Sequence, residues 1–113
     1  MFLGYYTSFV LTVRDATPEE SAEIEKLVSN EDGMCFMERW GEDTYTAYTT
    51  WYDYDEDMLA LSKQYPTVLF ELYGDGEETE DIWYNYYKNG MKQNCPAKIT
   101  FDPYDEAKLK EPA

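Results

Sequence analysis

The side chains of this chain that could do chemistry are carboxylates, and they crowd into its middle third. Asp53, Asp55, Glu56 and Asp57 form one run, Glu71 follows, and Asp75, Glu77, Glu78, Glu80 and Asp81 form a second, with Tyr54, Trp83 and Tyr84 among them. Paired carboxylates are the residue type of glycosidase acid and base chemistry. That chemistry needs a deep cleft, which a small single-sheet domain rarely offers. Nucleophilic catalysis needs a base beside Ser, Cys or Thr. The chain has no histidine, so the commonest base and the commonest metal ligand are both missing. Cys35 and Cys95 lie far apart, match no CxxC pattern and sit in strand-like apolar settings, as packed thiols of a reducing compartment do. The expectation is a protein without catalytic residues, cofactor or metal.

One metal pattern needs weighing. Asp53-x-Asp55-x-Asp57 matches the opening of a calcium loop, but Met58 stands where such a loop needs Gly and Gln64 where it needs Glu. Helix capping accounts for these acids without an ion. Calcium or small-ligand binding, here or in the Asp75 to Asp81 loop, therefore stands only as an alternative.

The charge balance narrows the partners. Against 24 Asp and Glu there are 9 Lys and Arg, a net charge of −15, and between Arg39 and Lys88 the only base is Lys63. Holding nucleic acid by its phosphates requires basic residues to replace counterions, so direct nucleic-acid binding is excluded. A cationic surface is the fitting partner, and its association would weaken with salt. The geometry suits it too. Same-face residues on a strand repeat every ~6.6 to 6.8 Å, and carboxylates at i and i+4 on a helix have Cβ atoms ~5 to 6 Å apart. Phosphates on a DNA strand step by about 3.4 Å of axial rise and farther through space. A rigid scaffold of acids can therefore imitate a phosphate row, and Tyr or Trp beside it can fill pockets on the partner.

These side chains must be positioned by a single domain, since 113 residues with 43% apolar content build one core. Tyr5 to Val13 reads as a first strand. Thr17-Pro-Glu-Glu20 is a capping box with Pro at the first helical position, and Ile24, Leu27 and Val28 give that helix its apolar stripe to about Ser29. Asn30 to Gly33 is a turn. Met34 to Trp40 and Tyr45 to Trp51 read as a hairpin. Asp53, with Glu56 three residues on, starts a second helix carrying Met58, Leu61 and Tyr65, which Pro66 stops. Thr67 to Tyr73 is a strand, Glu77 to Asp81 a solvated loop, and Asp81 to Lys88 an aromatic strand. Asn89-Gly90 is a type I′ hairpin signal, sending Met91 to Phe101 back along it with a break near Pro96. The order is strand, helix, strand, strand, helix, strand, strand, strand, an α+β domain over residues 1–104 with one antiparallel-rich sheet carrying both helices on one face. Residues 105–113 read as a charged tail.

Trp40-Gly41, Trp51, Leu59-Ala-Leu-Ser-Lys-Gln-Tyr-Pro66, Val68-Leu-Phe-Glu-Leu-Tyr73 and the following Gly- and Glu-rich loop together carry a resemblance. Over residues 36–90 the chain is similar to the YubB-type ferredoxin-like domains of phage and plasmid proteins. It departs from their hairpin motif, because Glu42 to Thr50 separates Trp40-Gly41 from Trp51. The resemblance implies a ferredoxin-like fold and a mobile-element origin, and implies no chemistry.

These readings converge on a non-enzymatic acidic phage or mobile-element protein in the host cytoplasm. It would inhibit a basic nucleic-acid-binding host defence protein, in the anti-CRISPR or anti-restriction manner, as a DNA mimic. The expected contact residues are Asp53, Tyr54, Asp55, Glu56, Asp57, Asp75, Glu77, Glu78, Glu80, Asp81, Trp83 and Tyr84. The competing expectation is a housekeeping protein-interaction module that docks through its aromatic hairpin. The cytoplasmic assignment follows from an N-terminus without a basic region and cleavable apolar stretch, and from apolar runs too short to span a bilayer.

Overall fold

A computed structural model describes residues 4–29 and 37–112. Two expected features, the Asn30 to Gly33 turn and Cys35, lie outside the described residues. The elements are β1 (Thr7–Arg14), α1 (Pro18–Ser29), β2 (Glu38–Arg39), β3 (Thr44–Thr49), α2 (Tyr54–Gln64), β4 (Leu69–Asp75), β5 (Ile82–Lys88), β6 (Met91–Pro96) and a 3-10 turn, Glu106–Lys108. The six strands form one sheet in the order β2-β3-β1-β4-β5-β6, with every neighbour antiparallel.

Period-2 patterning divides the sheet into two faces. Phe9, Leu11 and Val13 of β1 point to the same side as Tyr45, Phe70, Leu72 and Tyr87. Ile24 and Val28 of α1 and Met58 and Leu61 of α2 join them in one buried cluster. Both helices therefore cover one face, and the chain is α+β as its sequence indicates. Among the described residues the other face carries no helix.

Local chemistry explains each boundary. In α1 the capping box is complete: the Thr17 N–H donates to Glu20 Oε1 at 3.0 Å and the Glu20 N–H to Thr17 Oγ1 at 3.1 Å. In α2, Asp53 occupies the N-cap position, but its side chain makes no capping bond, so the expected cap is positional only. β1 begins at Thr7 because the N–H groups of Tyr5 and Tyr6 are taken by the Tyr52 hydroxyl and the Glu77 carboxylate. β4 begins at Leu69 because the Val68 N–H closes a turn onto the Tyr65 carbonyl at 3.0 Å. Trp51, expected at the end of β3, lies beyond that strand, buried under α2. Asn89 and Gly90 have φ of 50° and 75°, as a type I′ turn requires. β6 ends at Pro96, which has no N–H for a ladder, and the strand does not reach Phe101. Cys95 is half-buried and unpaired on this edge strand, facing the helix-free side opposite Tyr84. It is therefore outside the core in which the sequence places it.

Candidate partner-binding surface

The two acidic runs meet at one end of the sheet, joined by aromatic side chains. Tyr54, the first residue of α2, stacks on Trp83 of β5, with ring centroids 4.9 Å apart and 18° between planes. Trp83 can lie flat there because Gly74 of β4, opposite it in the ladder, has no side chain; a Cβ at that position would stand 2.2 Å from Trp83 Cζ2. Phe9 and Trp51 complete the group edge to face, their centroids 5.2 Å apart.

Hydrogen bonds then tie acids to rings. Trp51 Nε1 donates to Asp57 Oδ2 at 2.7 Å, and Trp83 Nε1 to Asp81 Oδ1 at 3.0 Å. The Tyr5 hydroxyl donates to Asp81 Oδ2 at 2.7 Å and accepts the Glu78 N–H at 3.0 Å. The loop after β4 is closed by the Gly76 N–H on the Asp81 carbonyl at 2.8 Å. Both acidic segments are thus fixed to one rigid frame, and preorganised groups bind without the cost of being ordered at the moment of contact.

Asp55 points elsewhere, into a polar network beneath α2. Its Oδ2 accepts Lys92 Nζ at 2.6 Å, and its Oδ1 accepts the hydroxyl of the fully buried Tyr87 at 2.6 Å. Asn85 Nδ2 donates to that hydroxyl at 3.0 Å, and Asn94 Nδ2 donates to Asn85 Oδ1 at 2.6 Å. Partial burial alone would raise the Asp55 carboxyl; the hydrogen bonds from Lys92 and Tyr87, with the Lys92 charge, outweigh it and hold the group below its usual range. Burial, reinforced by the bond to Asp55, pushes the Tyr87 phenol well above its ordinary value.

Of the twelve residues expected at the surface, Asp53, Glu56, Glu77, Glu78 and Glu80 are exposed at this end, and Asp75, also exposed, alternates with Gly74 and so projects from the opposite face. Asp57 and Asp81 are half-buried anchors of the aromatic group, as are Tyr54 and Trp83 themselves. Asp55, its side chain 40% exposed, is engaged by Lys92 and Tyr87 instead. Tyr84 is not brought to the others: it neighbours Trp83 in the strand, so it projects from the opposite face, where it stacks with Tyr86 at 6.0 Å and leans on Tyr73 at 5.1 Å. Among the described residues there are three ion pairs, Arg14–Glu71, Arg39–Glu25 and Lys92–Asp55. Only the last involves a member of the set, so the acidic end keeps nearly all of its charge.

Sequence reasoning missed Tyr5 and Trp51, whose polar tips orient Asp81 and Asp57. It also missed Tyr48, Tyr73 and Tyr86 on the helix-free face. The alternation Glu71, Tyr73, Asp75 in β4 and Tyr84, Tyr86, Lys88 in β5 is the signal that would have found the last group. Among the described residues no three His, Cys, Asp or Glu side chains converge as a metal site would require, and no helix is long and apolar enough to cross a membrane. Comparison of the chain with models of protein families, with curated proteins and with solved structures gives no match.

Proposed function

We propose that the chain is a non-enzymatic, phage- or plasmid-borne inhibitor that acts in the host cytoplasm. It would occupy the basic nucleic-acid site of a defence protein, of the CRISPR or restriction kind, as a phosphate mimic. The observation that carries this reading is the acidic end. Among the described residues Asp53, Glu56, Glu77, Glu78 and Glu80 are exposed without a cationic partner, on a frame held by Tyr54–Trp83 stacking and by the Tyr5 and Trp83 bonds to Asp81. A surface that serves solubility alone needs no such fixation. The spatial order β2-β3-β1-β4, with α1 and α2 on one face, is compatible with a ferredoxin-like unit extended by the β5–β6 hairpin. It accords with the YubB-type resemblance and with the mobile-element origin that the resemblance implies.

Inhibition would be stoichiometric and would need no cofactor. The test is competition with DNA for purified candidate nucleases across a salt series. Affinity should fall as salt rises, and the triple change Glu77→Lys, Glu78→Lys, Glu80→Lys should weaken it tenfold or more, about 1.4 kcal/mol. Inhibition that is indifferent to both salt and charge reversal would remove this reading.

A further inference from the structure

The segment after β6 carries apolar side chains suited to covering a surface, yet among the described residues it makes no hydrogen bond to the sheet or helices beyond Ala97. From Pro96 to Pro112 every residue is exposed, including Ile99 (44%), Phe101 (89%), Tyr104 (76%) and Leu109 (64%). Its hydrogen bonds are local: Ala97 N–H to the Ile82 carbonyl, and a turn in which the Ala107 N–H binds Asp105 Oδ1. The radius of gyration is 17.8 Å, against about 13 Å for a compact domain of this length.

A matching vacancy lies on the helix-free face of the sheet. Ser8, Val10, Thr46 and Tyr48, rimmed by Glu38, line a groove of about 620 Å3. Tyr73, Tyr84 and Tyr86 continue this face across β4 and β5. On a molecule of net charge −15, it is nearly neutral. Its acids are Glu38, Glu71 and Asp75 and its bases Arg14 and Lys88, with Glu71 neutralised by Arg14 at 2.7 Å.

We propose that two copies of this chain pair through these two features, the segment from Ala97 to Pro112 of each lying across the helix-free face of the other. Two like-charged molecules can approach only where their acids are few, and this face is that place. The segment itself is close to neutral, with Lys98, Lys108 and Lys110 against Asp102, Asp105, Glu106 and Glu111, so it too can approach a second copy without strong repulsion. Fully extended it reaches about 50 Å, while six strands span only about 24 Å, so it can cross the whole sheet. Aromatic side chains bury about 150 to 250 Å2 each. Two such straps, each with two aromatic and two aliphatic side chains, bring the pair into the range of a stable interface, about 800 Å2 per partner. The contact is isologous and closes on itself.

Sedimentation of the full chain at micromolar concentration tests this. The wild type should sediment at twice the 13.3 kDa chain mass. The strap variant Phe101→Ser with Tyr104→Ser and the face variant Tyr48→Glu should each raise the dissociation constant at least tenfold, with far-ultraviolet circular dichroism unchanged. Phe101 and Tyr104 are 89% and 76% exposed, so their replacement leaves the fold intact; should Tyr48→Glu misfold, Tyr84→Glu takes its place. A monomeric wild type, or a dimer that survives either the strap or the face variant, overturns the proposal.

Discussion

Tyr87 shows how much one hydroxyl can hold. It is fully buried, donates to Asp55 and accepts from Asn85, and Asp55 in turn binds Lys92. Tyr87→Phe leaves the Asn85 amide and one Asp55 oxygen short of a partner, and should cost about 1 to 3 kcal/mol, measured by urea unfolding at neutral pH. The same residue sets a pH response. Its folded-state pKa lies above the 10.0 of a free tyrosine, so above pH 10 the unfolded chain has released a proton that the folded one keeps. The stabilisation is therefore complete below pH 10 and declines as pH rises beyond it, by up to about 1.4 kcal/mol per unit for each such proton. The wild type should lose stability in that window, and Tyr87→Phe should lose less per pH unit. Asp55 works in the other direction. Its pKa lies below 3.8, so its contribution is present above that pH and is lost as pH falls towards the folded-state value.

At the scale of elements, the close approach of β4 and β5 decides whether the acidic end is assembled. Gly74→Ala would push a methyl into the Trp83 ring, with an overpacking cost of about 1 to 3 kcal/mol. It should separate Trp83 from Tyr54 and so shift the tryptophan emission, and an unchanged spectrum and melting curve would show the stack to be unimportant. What was legible in the sequence was legible for local reasons. Thr17 to Glu20 and Asn89-Gly90 carry their geometry within four residues, and the apolar period of Met58, Leu61 and Tyr65 needs no partner to be seen. The misses are tertiary. Asp55 and Asp57 look alike in the sequence, yet Asp57 is claimed by Trp51, six residues before it, and Asp55 by Tyr87 and Lys92, which arrive from 32 and 37 residues away. Tyr84 fails to join Trp83 because one step along a strand changes faces. Cys95 is uncovered because β6 is the sheet's edge and has no layer over its helix-free side.

Over the whole molecule, the imbalance of charge is itself a load on the fold. With a net charge of −15 and six of the nine bases outside the described ion pairs, compaction brings acids together, and self-repulsion opposes it. Raising sodium chloride from low to physiological strength should raise the melting temperature, since the screening length shortens to about 8 Å. A melting temperature that does not move would mean that the acids are spaced too widely to repel.

β1 precedes both of its partners in the chain, yet it lies between them in the sheet, with β3 on one side and β4 on the other. At about 5 to 20 residues per second a ribosome needs roughly 3 to 12 s to get from Arg14 to Asp75. Until β3 is made both backbone edges of the run Thr7-Ser-Phe-Val-Leu-Thr-Val13 are bare, and until Asp75 the edge that β4 will pair stays so. Neighbouring nascent chains that carry the same excess of carboxylates repel one another over that time, so the acidity also protects the protein while it is being synthesised.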